Sequence, residues 1–367
     1  MGKKRELHIR RRPNEKEEEY RRRVRKIRKA ERIRKQKQKQ RLAMAASVFF
    51  IIVFVIVLVK FVGNRVTDNQ VDTTHNIEET KRENITPKSV EETTTQPEKK
   101  AMEHPTKSEN YKTIKDLRVP YAILMDVENN QIIAGKKYER KIYPASMTKV
   151  MTLIVAVENM PDLTEKYTFK NEDIDPLIYD DASRAGFEAG DSVTVKDMLY
   201  GLILPSGADG AVGLANLIAG SEEGFVKLMN EKCDELGLTE THFMNCTGLY
   251  HDEHYTTLTE QAMIMAYAMQ NETCAEILGT YQYTTEPLQS NEEGILLTST
   301  MYSRMYGDEV EGVEIIGGKT GYVQESKHTL VSCARKNGKL YVAVTAFGNS
   351  KWDGIYDNFT IYGNYLP

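Results

Sequence analysis

Apolar residues follow three different patterns along this chain. From Leu42 to Val59 (LAMAASVFFIIVFVIVLV) they form one uninterrupted run. From Gly63 to about Tyr111 large apolar side chains are sparse, in stretches such as TTHNIEETKRENITPKSVEETTTQPEKK. Beyond that point they recur with the periods of regular structure. YAILMDVENNQIIAGKK predicts two strands around a turn at Asn129-Asn130. SMTKVMTLIVAVENM, TVKDMLYGLIL, DGAVGLANLIAG, SEEGFVKLMNEKCDELG and TLTEQAMIMAYAM carry helical spacing, with Gly220 and Gly237 as stops. EIIGGKTGYV and KHTLVSCARKNGKLYVAVTAFG return to strands, the latter folded back at Asn337-Gly338. Strands at both ends with helices between predict an α/β (α+β) fold, with one sheet assembled from the two ends of the domain. No internal repeat is visible.

Charge changes the picture at the N-terminus. Residues 1–41 hold 20 Lys+Arg against 6 Asp+Glu, in a chain whose net charge is −4. The eighteen apolar residues that follow would span about 27 Å as a helix, close to a bilayer core. A cleaved signal peptide fits less well, because the basic region is long and no small-x-small site follows KFVGNRV. The expected organisation is a basic cytoplasmic tail (1–41), a transmembrane helix (42–62), a disordered linker (63–111) and one folded domain outside the cell (112–367). The tail lies against the membrane, so anionic lipid headgroups are its expected partner. YRRRVRKIRKAERIRK is dense enough for nucleic acid, but Glu15 and Glu17 to Glu19 dilute that signal, and no nucleic-acid partner is expected.

The candidate chemistry begins with a lysine in the wrong company. In YPASMTKVMTLIVAV, Lys149 stands among Val150, Met151, Leu153, Ile154 and Val155, three residues after Ser146. Positions three apart share a helix face. A desolvated lysine loses basicity, and a neutral amine beside a hydroxyl is a general base for a serine nucleophile. Ser146 also lies at the helix start, where free N–H groups can meet an oxyanion. By itself Ser-x-x-Lys is weak, since chance supplies about one or two in a chain of this length. Two further segments add weight. LPSGADGAVGLANL sets Ser206 at the mouth of a helix, where it is either a cap or a reactive hydroxyl. IIGGKTGYV sets Lys319, Thr320 and Gly321 on a strand; its glycines could merely shape a bend, and the Walker spacing is missing because Val313 stands where its first glycine would fall.

Together and in this order, Ser-x-x-Lys, Ser-Gly-x and Lys-Thr-Gly resemble the signature of penicillin-binding proteins and serine β-lactamases. PASMTKVMT, AGFEAGDSVTVKDMLYGLILPSGADGA, FVKLMNEKCDELGLTETHFMNCTGL, HYTTLTEQAMIMAYA and GGKTGYV extend the resemblance, over nearly all of the outer domain, to the D-alanyl-D-alanine carboxypeptidases. That resemblance implies a β-lactamase/DD-peptidase-like fold, an antiparallel sheet covered by helices with a helical subdomain. It implies Ser146 as nucleophile, Lys149 as base and Ser206 as proton carrier. Lys319 and Thr320 would hold the substrate carboxylate, with Gly321 and Tyr322 completing the binding strand. The N–H groups of Ser146 and Tyr322 would form the oxyanion hole. The substrate would be a peptidoglycan stem peptide ending in D-Ala-D-Ala, with β-lactam antibiotics as covalent inhibitors and no metal or organic cofactor.

The sequence departs from the family at two points. The middle motif usually ends in Asn but here ends in Ala208, and Asp209 would point elsewhere. No Arg follows Arg335, where the family often has one for the carboxylate, leaving Lys351 as a substitute. No further β-rich domain or C-terminal amphipathic anchor is expected, the N-terminal span replacing the latter. Alternative activities are cross-link endopeptidase, β-lactamase, and a wall-binding module of low activity because of Ala208. His251, Asp252, Glu253 and His254 have the composition of a metal site but lack an HExxH pattern, and the resemblance makes them a loop near the active-site rim. Cys233, Cys246, Cys274 and Cys333 permit disulfides or buried free thiols.

Overall fold

The computed structural model describes residues 101–305 and 310–367. The basic tail, the apolar run and most of the expected linker lie outside the described residues. Among the described residues, no helix is long and apolar enough to cross a membrane.

Six strands form the main sheet: β1 (Thr106–Thr113), β2 (Tyr121–Asp126), β3 (Gln131–Lys136), β4 (Glu314–Val323), β5 (Lys327–Lys336) and β6 (Lys339–Gly348). Their order is β1-β3-β2-β6-β5-β4, so the two ends of the domain meet at the β2–β6 pair. All neighbours are antiparallel except β1 and β3. β1 begins inside the stretch expected to be linker, which corrects the boundary at 112. Its sequence TKSENYKT has no buried position, so no apolar alternation marked it; backbone pairing with β3 makes it a strand. Asn337 and Gly338 turn the β5–β6 hairpin, with φ of 52° and 80°.

The helices are α1 (Lys149–Asn159), α2 (Asn171–Tyr179), α3 (Val195–Ile203), α4 (Ala208–Ala219), α5 (Glu222–Leu236), α6 (Leu258–Ala268), α7 (Glu272–Gly279), the short α8 (Tyr302–Met305) and α9 (Asp353–Tyr365). Both faces of the sheet are covered, which its alternation records. Ile123 and Met125 of β2 and Val342 and Val344 of β6 join the core shared with the helical lobe. Their neighbours Ala122, Leu124, Tyr341 and Ala343 pack on the other face with Ile361 and Tyr362 of α9. Helix α1 is buried along Lys149–Ala156 and sits at the centre of the lobe. Thr194, Ser221 and Thr257 cap α3, α5 and α6 through their hydroxyls, while Gly220 and Gly237 end α4 and α5 in the left-handed region. The four cysteines are free and buried.

Candidate active site

Three segments converge on one cleft of about 290 Å³. The first is the tight turn Ala145–Thr148 leading into α1, which rests against β4. The second is the α3–α4 corner with Ser206, and the third is β4 itself, the edge strand of the sheet. Ser146, Lys149, Ser206, Thr320, Gly321 and Tyr322 all line the cleft. Lys319, the remaining residue of the expected set, reaches it from beneath by donating to Ser206 Oγ at 2.9 Å.

The turn is held in a costly conformation. Ala145 has φ 51° and Ser206 has φ 67°, the left-handed region that a side chain disfavours by about 1–2 kcal/mol. Both strained positions adjoin or carry a candidate reactive serine. Gly321 is required where β4 meets the turn: a Cβ there would lie 2.9 Å from Ser146 N and 2.4 Å from Thr329 Oγ1.

Lys149 is 2% exposed and lies 3.2 Å from Ser146 Oγ. Burial lowers its pKa from 10.5 to about 8, against the opposing pull of Cys246, Asp209 and Glu222. Lys319 is 1% exposed and donates to Ser206 Oγ and to the Thr320 carbonyl. Burial, reinforced by the charges of Lys149 and Arg304, drives its pKa well below the usual lysine value. Thr320 Oγ1 shares a hydrogen bond of 2.6 Å with Thr300 Oγ1. The pair Ser146–Lys149 therefore faces a second pair, Ser206–Lys319, across one cleft.

Ala208 lines the same cleft without a polar side chain, and its N–H is committed to the Ser183 carbonyl at 2.7 Å. Asp209 turns away. It is buried and accepts from the N–H groups of Ala185, Gly186 and Phe187, pinning the loop that precedes α3. Lys351 lines the cleft as expected, but so does Arg304 of α8, which sequence reasoning did not single out. A lone arginine in STMYSRMYG looks like any solvated charge, and only the fold brings it beside Thr320. Burial lowers its pKa, so its charge is partly stripped of water.

The His251–His254 loop does not gather into one cluster. His254 is buried, and its Nε2 lies 2.8 Å from Thr148 Oγ1. Met244 N–H points at its Nδ1, which places the imidazole proton on Nε2 as donor to Thr148. Burial lowers the His254 pKa to about 3, so the ring stays neutral and helps hold the turn between Ser146 and Lys149.

A buried lysine of lowered pKa held against a serine, framed by a helical lobe and the edge strand of a mostly antiparallel sheet, defines an α/β fold with a serine–lysine site. Comparison with known proteins narrows the class. Residues 106–349 match the family model described as D-alanyl-D-alanine carboxypeptidase, peptidase S11, and the chain belongs to that family. It is 34% identical over 230 residues to D-alanyl-D-alanine carboxypeptidase DacF of Bacillus subtilis, covering 62% of this chain and 57% of that protein. It is 32% identical over 212 residues to the D-alanyl-D-alanine carboxypeptidase of Streptomyces sp. strain K15, covering 56% and 72%. The chain thus spans little over half the length of the Bacillus relative. The crystal structure of the Streptomyces K15 DD-transpeptidase superposes with a TM-score of 0.62 at 27% identity, over 69% of this chain and 99% of that one. The D-alanyl-D-alanine carboxypeptidase of Mycobacterium tuberculosis gives 0.60 at 26% identity, over 70% and 96%.

Proposed function

We propose that this chain is a membrane-anchored serine D-alanyl-D-alanine carboxypeptidase that removes the terminal D-alanine from peptidoglycan stem peptides. The observation that carries the reading is Lys149, an amine made weakly basic by burial and set 3.2 Å from the hydroxyl of Ser146. Family membership and the names of its relatives supply the substrate class.

In this reading the Ser146 hydroxyl gives its proton to Lys149 as its oxygen attacks the carbonyl between the last two D-alanines. The N–H groups of Ser146 and Tyr322 receive the oxyanion. The C–N bond then breaks, and Ser206 relays the proton from Lys149 to the departing amine. An ester on Ser146 remains, and water cleaves it with Lys149 again as base. Lys319, Thr320 and Arg304 receive the terminal carboxylate, with Lys351 at the rim. An arriving carboxylate favours protonated Lys319, opposing the push that burial exerts on it. β-Lactams enter by the same route and stall at the ester. The expected transmembrane helix at 42–62 anchors the chain, with the basic tail on anionic lipid inside and the catalytic domain outside.

Intact-protein mass after incubation with benzylpenicillin tests this. The expected result is one added drug mass, mapped to the peptide carrying Ser146, and release of D-alanine from a pentapeptide. Ser146→Ala loses both. No adduct on the wild-type chain would favour a wall-binding module and remove the reading. Rapid drug turnover would mark a β-lactamase instead.

A further inference from the structure

A general base needs a fixed aim as well as a suitable pKa. A neutral amine has one lone pair, and free rotation about Cε–Nζ would point it away from Ser146 most of the time. The second hydrogen bond of Lys149 prevents this: Nζ donates to the backbone carbonyl of Thr247 at 2.5 Å. A carbonyl accepts from the lysine in either protonation state, so the anchor survives each proton transfer.

The Thr247 carbonyl belongs to an irregular turn between α5 and α6, and that turn is organised chiefly by one side chain. Asn245 Oδ1 accepts from Gly248 N at 2.7 Å, from Thr247 Oγ1 at 3.1 Å and from Thr247 N at 3.3 Å. Its Nδ2 donates to the Leu249 carbonyl at 3.0 Å, closing the turn. Two further bonds tie the turn to its surroundings. Thr152 Oγ1 of α1 donates to the Cys246 carbonyl at 2.7 Å, and Glu222 accepts from Cys246 N at 3.0 Å. The turn also presses on the nucleophile. Gly248 has φ +78°, and a Cβ there would lie 2.1 Å from the Ala145 carbonyl oxygen and 3.0 Å from Ser146 N. Meanwhile Ala208, facing the same cleft, offers the lysine no polar group.

We infer that Asn245 is a positioning residue: it fixes the Thr247 carbonyl as the acceptor that aims Lys149 at Ser146, a task for which position 208 supplies no polar side chain. The inference rests on the Ser146–Lys149 reading above. Asn245 is the informative residue to change because it is uncharged. Glu222 braces the same turn but also acts on the charge of Lys149, so its replacement would mix geometry with electrostatics.

The experiment is the single-turnover rate of acylation by a fluorescent penicillin, read on the alkaline plateau, with thermal unfolding as a check on folding. Asn245→Ala slows acylation about ten- to a hundredfold, the scale on which a misplaced reacting group loses rate. Asn245→Asp keeps the oxygen that collects three donors and recovers most of the loss. Adding Ala208→Asn accelerates the Asn245→Ala variant by a clearly larger factor than it accelerates the wild type, because a side-chain amide in the cleft gives the lysine a second anchor. If Asn245→Ala does not fold, Asn245→Ser takes its place in the same comparison. Unchanged acylation in the folded variant, or an equal effect of Ala208→Asn in both backgrounds, would overturn the inference. Absence of acylation in the wild-type chain would instead overturn the Ser146 reading beneath it.

Discussion

At the scale of single residues, pH dependence turns on Lys149. Its amine must be neutral to accept the Ser146 proton, and its pKa of about 8 leaves it mostly protonated at neutral pH. The acylation rate therefore rises with pH and levels off above about 8; below that, each unit of pH costs about tenfold. Stopped-flow acylation across this range checks it, and a flat profile would exclude Lys149 as the base. Arg304 supports a different prediction, because in the proposed function it binds the carboxylate and does not react. Arg304→Gln raises KM for a D-Ala-D-Ala peptide about tenfold, the scale of one hydrogen bond to a charged group, and lowers kcat much less. Steady-state D-alanine release separates the two constants. These residues were not equally legible in the sequence. Lys149 announced itself because a charge amid Val150, Met151 and Leu153 needs a reason. Arg304 and Asn245 stand in stretches of mixed polarity, STMYSRMYG and HFMNCTGLY, whose pattern sets no functional side chain apart, and only the folded chain shows what they touch.

At the scale of elements, the site depends on β4 approaching the Ser146 turn more closely than a side chain permits. Gly321→Ala would force a methyl group to within 2.9 Å of Ser146 N, with backbone on one side and the Thr329 hydroxyl on the other. Neither neighbour is the free end of a flexible side chain, so the turn must move. The expected result is at least a hundredfold loss of penicillin labelling in a protein that still unfolds cooperatively, read by gel fluorescence and calorimetry. Elements with a strong apolar period were legible: α1, α3, α4, α5, α6 and the strands β2 to β6 fall where the pattern put them. Helix α9 was not, because DGIYDNFTIYGNY is rich in Gly, Asn and Tyr, all modest helix formers. Packing overrides propensity there. Tyr362 is buried on the outer face of the sheet and shares a hydrogen bond with the Ser332 hydroxyl, Asn358 Oδ1 accepts from Ser332 Oγ, and Asp357 accepts from Val119 N. Helix α2 was missed for a related reason, as it carries Pro176 inside its span.

At the scale of the whole molecule, the charge distribution gives the proposed anchor its direction. Fourteen net positive charges precede the apolar run and a net negative remainder follows it. Under the proposal that asymmetry would retain the tail on the cytoplasmic side, since lysines and arginines beside a span resist translocation. Under the proposal the stretch from 63 to 100 is the linker that its composition predicts, and a random coil of that length would reach about 35 Å on average. Such a tether would let the cleft sample a layer of wall above the membrane. Two measurements follow from this arrangement. The full chain remains in the membrane fraction after an alkaline carbonate wash, because a spanning helix is held by apolar burial and not by charge. Protease added outside intact protoplasts removes the penicillin-labelled domain while an N-terminal tag stays protected. Release by carbonate would reduce the anchor to a surface attachment through the basic tail, and loss of the tag would reverse the orientation. Either result would relocate the enzyme without touching its chemistry, because Ser146, Lys149, Ser206 and Lys319 are all held by contacts among residues beyond 100.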